Sequence, residues 1–123
     1  MTVLVDSDVL LEVSRGRNPE LIARWMRLGA SASVLYSAVS AAELWAGARP
    51  SEHSAIEFLF RALTCIPVDE EVGRLAGGFL RAYRKSHSLE IADALIAASA
   101  VASQAELWTL NRKHYPMKEV ELF

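Results

Sequence analysis

Val3-Leu-Val-Asp6-Ser-Asp8-Val-Leu-Leu11 holds the pattern that the whole chain repeats. Thr2–Val5 is a short apolar run of β-type residues, Asp6-Ser-Asp8 interrupts it, and Val9–Val13 resumes with helical character. The alternation continues outward from there. Arg15–Asn18 reads as a loop in which Asn18 is a good N-cap and Pro19 a good first helical residue, predicting a helix over Pro19–Leu28. Val34–Tyr36 is a second strand, Ser40–Ala48 a helix closed by Arg49-Pro50, and Ser51–Leu63 a further helix. Cys65–Val68 is a third strand. Asp69 then caps a helix running to about Lys85, with Glu70 and Glu71 at its positive end, where the backbone dipole favours acids. Glu90–Gln104 is helical and apolar on most faces, so it should be buried. Leu107–Leu110 makes a fourth strand and Val120–Phe123 a candidate fifth.

Apolar strands separated by helices predict an α/β fold with a parallel sheet covered by helices. Ligand sites in such sheets lie just beyond the carboxyl ends of the strands. Asp6 and Asp8 follow the first strand directly, and Asn111 follows the fourth.

The 123 residues suit one domain, because single domains usually run to about 100–150 residues. With 52% hydrophobic and 23% charged residues, the chain can bury a core, which argues against disorder. No apolar run approaches the roughly 20 residues that span a bilayer. The N-terminus lacks a basic start and carries acids, unlike a signal peptide. A soluble, cytoplasmic protein with no membrane partner is expected. The single cysteine, Cys65, sits in the apolar stretch Leu63–Ile66 and is expected in the core. His53, His87 and His114 lack zinc-ligand spacing, and Gly77-Gly78 does not make a phosphate loop. A net charge of −2 neither requires nor excludes nucleic acid, although 10 of the 13 basic residues are Arg, the side chain suited to bidentate phosphate contacts.

Four acidic or amide-bearing segments invite a chemical reading: Asp6-Ser-Asp8, Ser40-Ala-Ala-Glu43, Glu90-Ile-Ala-Asp93 and Thr109-Leu-Asn111. Each has an ordinary structural role available. Asp6 or Ser7 would cap the helix that follows, Ser40 and Glu43 fit a capping box, Glu90 and Asp93 suit a helical first turn, and Asn111 suits a turn. Yet Asp93 enters an otherwise core-like helix, and Glu43 precedes Leu44 and Trp45. Carboxylates on buried elements are costly unless paired or bound to a cation, and hard divalent ions prefer oxygen ligands. Acids from several elements therefore form a plausible metal site. Their mutual repulsion should strain it, and removing the charge of Asp6 should relieve that strain.

Val-Asp6-Ser-Asp-Val-Leu-Leu, Ser-Ala-Ala-Glu43-Leu, Asp93-Ala-Leu-Ile-Ala-Ala-Ser-Ala and Leu-Trp-Thr-Leu-Asn111-Arg-Lys-His-Tyr resemble the four ordered motifs of PIN-domain ribonucleases, especially the VapC toxins of toxin–antitoxin pairs. The resemblance covers essentially the whole chain, 1–123, as one PIN domain. It implies a three-layer αβα sandwich around a central parallel sheet of four to five strands, and an endoribonuclease dependent on Mg²⁺ or Mn²⁺. Asp6, Glu43 and Asp93 match the family's three acidic metal positions. Asn111 matches a fourth catalytic position that is often Asp elsewhere; being neutral, it leaves the number of metals open. Asp8 and Glu90 fall outside the family positions. The resemblance further implies an RNA substrate, a VapB-like antitoxin, a homodimer, and contact with DNA only through the antitoxin.

Arg15, Arg17, Arg49, Arg112, Lys113 and His114 fall in loops near the acidic positions and are candidate phosphate contacts. Leu21–Met26 and Ile56–Phe60 should mostly be core, with some surface left for a partner helix. Two other classes would use the same residues differently. A haloacid-dehalogenase-type phosphatase would use Asp6-x-Asp8 for phosphotransfer but needs a later Lys and acidic pair. A receiver domain would need an acceptor Asp ending a central strand near mid-chain; Cys65–Val68 leads to Asp69, but Asp69 reads as an N-cap, and Glu43 and Asp93 would be unexplained. The three intact acids argue against a non-catalytic PIN-like binding module.

Overall fold

The computed structural model describes residues 1–123. Its chain order is β1 (Thr2–Val5), α1 (Ser7–Arg15), α2 (Pro19–Ser31), β2 (Ser33–Ser37), α3 (Ala38–Gly47), a 3-10 turn (Pro50–Glu52), α4 (His53–Arg61), β3 (Thr64–Ile66), α5 (Glu70–His87), α6 (Ile91–Ala102), β4 (Glu106–Trp108) and a second 3-10 turn (Arg112–His114). The four strands form one sheet in the order β3-β2-β1-β4, with every pairing parallel. Val3 pairs with Val34 on one side and Glu106 on the other.

Side chains alternate across the sheet because successive Cβ atoms point to opposite faces. Leu4 and Leu107 join a core built with α5 and α6, including Phe79, Ile96 and Ala97. Val3, Val5 and Trp108 join a second core with Val9 and Leu10 of α1, Leu21 and Leu28 of α2, and Leu59 of α4. Helices on both faces make the three-layer αβα sandwich. The small residues of α6 let it pack closely: Ala94, Ala97, Ala98 and Ala100 are wholly buried. No helix is long and apolar enough to cross a membrane.

The caps of α2 and α5 follow the sequence reading. Asn18 Oδ1 accepts from Leu21 N at 3.1 Å, and Asp69 Oδ1 accepts from Val72 N at 3.0 Å. Elsewhere local chemistry moves the boundaries. The strand β3 stops at Ile66 because Pro67 cannot donate to a ladder. The expected fifth strand shrinks to one parallel bridge, Leu107 to Leu122, held by Leu107 N to Glu121 O and Phe123 N to Leu107 O, both 2.8 Å. Cys65 is exposed, not buried, since β3 is the sheet's edge. The helix α3 starts earlier than a capping box of Ser40 and Glu43 requires: Ser37 is the cap, accepting from Val39 N at 3.1 Å, and Ser40 lies inside the helix.

Because α6 is packed through alanines, enlarging one should overpack the interface. Ala97→Leu is expected to lower stability by about 1–3 kcal/mol in denaturant melts. Ala23→Leu, on the exposed face of α2, should stay within about 0.5 kcal/mol of the wild type.

Candidate active site

The strand order places a switch point between β1 and β4: the chain proceeds from β1 to β2 to β3, then returns to the opposite side of β1. A crevice opens there at the carboxyl ends. Asp6 is the first residue beyond β1, and its N–H donates to Trp108 O of β4 at 2.9 Å. The residue is 7% exposed. Oδ1 accepts from Ser7 N at 2.7 Å, which caps α1. Oδ2 accepts from Thr109 Oγ1 and from Tyr115 Oη, both at 2.8 Å. The cap of α1 thus uses one oxygen of Asp6, while the other faces Thr109 and Tyr115.

Asp8, in the first turn of α1, is not a solvated bystander. Its Oδ2 accepts from Leu110 N at 3.1 Å, tying α1 to the segment after β4. Thr109 Oγ1 is 3.3 Å from the same atom, but its single proton serves the nearer Asp6. Burial, reinforced by the charge of Asp6, pushes the Asp8 carboxyl up to about 6. Asp93, in the first turn of α6, is likewise raised by burial; His114 opposes this and Asp6 adds to it. His114 Nδ1 stands 3.7 Å from Asp93 Oδ2. Burial and then Asp6 also raise the Tyr115 phenol, which remains a donor to Asp6.

Glu43 enters from the other flank. Ser7 Oγ donates to Glu43 Oε1 at 2.6 Å and lies 2.8 Å from the buried Ser40 Oγ. Glu43 itself is exposed, as is Trp45, so the cost of burial bears on Asp6 and Asp93 but not on Glu43. Asn111 is exposed too; its backbone N–H donates to Thr109 Oγ1 at 3.0 Å, and Nδ2 lies 3.1 Å from His114 Nε2. Glu90 is the exposed residue that opens α6, without a side-chain capping bond.

The four expected side chains thus gather at one end of the sheet, linked through Ser7, Thr109 and His114. No three His, Cys, Asp or Glu side chains are drawn up as a ready-made cage for an ion. Each carboxylate faces a protein donor or the His114 ring: Ser7, Thr109 and Tyr115 for Asp6, His114 for Asp93, Ser7 for Glu43. The acidic groups offer oxygen ligands, and burial raises two carboxyls beside Asp6, those of Asp8 and Asp93, which suits a hard divalent cation. The charge of Asp6 contributes to the raised carboxyls of both Asp8 and Asp93, and three donors face Asp6 itself.

Sequence reading missed Thr109 and Tyr115 as supports for Asp6. Tyr115 is 109 positions away and carries no local signal for the contact. Thr109 sits within the fourth motif, but the sequence reading puts it inside the strand Leu107–Leu110, whereas β4 ends at Trp108 and leaves Thr109 just beyond it. Among the basic candidates, His114 approaches Asp93, Arg112 Nη1 donates to Phe123 O at 3.2 Å, and Arg15, Arg17 and Arg49 line a separate cleft.

A carboxyl raised on folding favours the native state only while protonated, so its penalty is absent below the unfolded value and complete above about pH 6. Asp8→Asn should therefore stabilise the metal-free protein by about 1–2 kcal/mol at pH 8, allowing for partial exposure, and by almost nothing near pH 4. Melts of both proteins across that range test this; equal destabilisation at both ends would mean that the missing hydrogen bonds dominate.

Comparison with known proteins places this geometry. The PIN domain model matches residues 3–120. Ribonuclease VapC10 of Mycobacterium tuberculosis is 38% identical over 120 residues, spanning 95% of this chain and 88% of that protein. Ribonuclease VapC19 of the same species is 33% identical over 115 residues, spanning 93% and 92%. Among solved structures, VapBC2 from Rickettsia felis bound to a promoter DNA fragment superimposes with a TM-score of 0.85 at 21% identity, covering 100% of this chain and 98% of the other. VapBC-1 from nontypeable Haemophilus influenzae gives 0.81 at 20% identity, covering 100% and 97%. A receiver-type acceptor is ruled out independently, because Asp69 follows an edge strand and caps α5. The chain belongs to the PIN-domain family, among its VapC-type ribonucleases.

Proposed function

We propose that this chain is a Mg²⁺- or Mn²⁺-dependent endoribonuclease of the cytoplasm that cleaves cellular RNA as the toxin of a toxin–antitoxin pair. The observation that carries the reading is the buried Asp6 carboxylate at the β1–β4 switch point, with Asp93 and Asp8 within electrostatic reach and Glu43 across Ser7. Asp6 and Asp93 are the principal metal ligands, and Glu43 completes the set from the solvent side, directly or through water. When bound, the ion would supply a water of lowered pKa and would offset negative charge on the phosphodiester.

The protein's own part is positioning. Thr109 and Tyr115 hold Oδ2 of Asp6, so the carboxylate cannot rotate freely when RNA arrives. Ser7 steers Glu43, and Ser40 fixes Ser7 from within the core. Asn111, neutral where the family often has Asp, offers a carboxamide beside His114 and so can hydrogen-bond a water or a phosphate oxygen without adding charge.

Several structurally similar proteins are named as toxin–antitoxin assemblies, and VapBC2 is bound to promoter DNA, which supports a VapB-like antitoxin as partner. Contact with DNA through that antitoxin alone belongs to the same reading. A homodimer is the inferred assembly. Met26 of α2 and Phe58 of α4 are 66% and 80% exposed, apolar side chains of the kind that a partner helix covers.

Cleavage of structured RNA should require added Mg²⁺ or Mn²⁺ and stop on chelation. Loss of an outer-shell partner commonly costs about 10–100-fold, so Asp93→Asn, which removes a ligand, should cost at least about 100-fold. Electrophoresis of RNA digests reads both. Full activity of Asp93→Asn or of the chelated protein would overturn the metal assignment. Growth arrest on expressing the wild type, relieved by the co-expressed antitoxin, tests the toxin role separately.

A further inference from the structure

Beside the acidic centre lies a cleft of about 360 Å³ whose walls carry Arg15, Arg17 and Arg49, together with Ser14 and Ser51, and only one apolar side chain. Arg15 and Arg17 come from the end of α1 and the loop after it; Arg49 comes from the link between α3 and the 3-10 turn. Separate stretches of chain thus deliver three guanidiniums to one concavity, against a single carboxylate, Glu52, in its wall. Arg15 and Glu52 also line an adjoining cavity of about 180 Å³ that contains Ser7, Asp8 and Glu43. The arginine cleft and the cavity beside the acidic centre are therefore neighbours that share Arg15 and Glu52 as a common wall.

The cations are positioned without being consumed. Glu52 accepts from Arg15 Nε at 3.2 Å and from the Arg49 backbone N–H at 3.1 Å, which leaves both terminal nitrogens of Arg15 without a hydrogen bond. Arg17 Nη2 stands 3.8 Å from Glu12, beyond hydrogen-bond distance. Arg49 makes no ion pair. A planar guanidinium with free terminal N–H groups matches two oxygens of a phosphate. No aromatic side chain lines the cleft, so its main offering to a nucleic acid is cationic guanidinium, which favours contact with the backbone. A nuclease centre made of carboxylates repels the phosphates that flank the scissile one; a bank of arginines beside it offsets that repulsion.

We propose that this cleft binds the sugar–phosphate backbone of the RNA adjacent to the scissile linkage, independently of base sequence, an assignment that rests on the ribonuclease reading above. Binding of a fluorescently labelled single-stranded oligoribonucleotide, measured by anisotropy in EDTA over a range of salt, tests it. The double variant R17A/R49A should bind about tenfold more weakly, and its dependence of log Kd on log salt should be shallower by about 1.4, at roughly 0.7 for each phosphate of a single strand that an arginine neutralises. R17K/R49K should recover most of the salt dependence with less of the affinity. R81A/R84A, which removes the same charge from α5, should bind like the wild type. The side chains of Arg17 and Arg49 make no hydrogen bonds within the protein, so the fold should survive, as melting curves would verify.

If R17A/R49A binds with wild-type affinity and salt dependence while the wild type still cleaves RNA on addition of Mg²⁺ or Mn²⁺, the cleft assignment is overturned and the nuclease reading stands. If that unchanged RNA isotherm is accompanied by abolished binding of a polyglutamate peptide, the cleft belongs to an acidic protein segment and the assignment is likewise overturned. A wild type that neither binds nor cleaves RNA removes both readings.

Discussion

Two hydrogen bonds, from Thr109 and from Tyr115 to the same oxygen of Asp6, fix the buried carboxylate around which the site is arranged. A carboxylate on a residue with 7% exposure is tolerable only when its charge is answered by donors or a cation. Here the donors come from the end of β4 and from beyond the second 3-10 turn, while the carboxylate comes from the end of β1 and its other oxygen caps α1. One side chain therefore joins the central strand, the first helix and the C-terminal segment. Truncating either hydroxyl would leave a buried charge short of a partner, at a cost of about 1–3 kcal/mol.

The same arrangement bears on the electrostatics of the site. Burial, with the charge of Asp6 adding to it, raises the carboxyl of Asp8 to about 6 and raises that of Asp93. His114 partly answers Asp93, and Leu110 N partly answers Asp8. A protein folded for stability alone would dilute such charge. Concentrating it at a sheet switch point, beside free guanidiniums, makes sense for a centre that takes up a cation and a polyanion together.

Much of this was legible beforehand because the sequence carries local signals for it. Asn18-Pro19 and Asp69 announce helix starts through hydrogen bonds that span three residues, and the structure has those bonds. Asp6, Glu43, Asp93 and Asn111 stand in motifs whose order can be read directly, and the fold gathers them at one end of the sheet. What escaped depended on distance or on position in the sheet. Tyr115 meets Asp6 only through the tertiary fold. Cys65 looks like a core residue by its neighbours, yet β3 is an edge strand and leaves it exposed. The Ser40–Glu43 spacing mimics a capping box, but Ser37 already caps α3, which frees Ser40 and Glu43 to act together on Ser7. Nor does the sequence say which of several loop arginines converge; only the packing of α1 against the turn after α3 brings Arg15, Arg17 and Arg49 into one cleft.

On the function proposed above, the carboxylates around Asp6 form a divalent-cation site that only the folded chain provides. Thermal unfolding with increasing Mg²⁺ or Mn²⁺ probes that site, because an ion that binds only the native state stabilises it by mass action, by about 2.7 kcal/mol at a hundred times its Kd. A saturable rise in Tm is expected for the wild type and should be largely lost in Asp93→Asn. A wild-type Tm indifferent to millimolar concentrations of both ions, or a rise of equal size in Asp93→Asn, would contradict it.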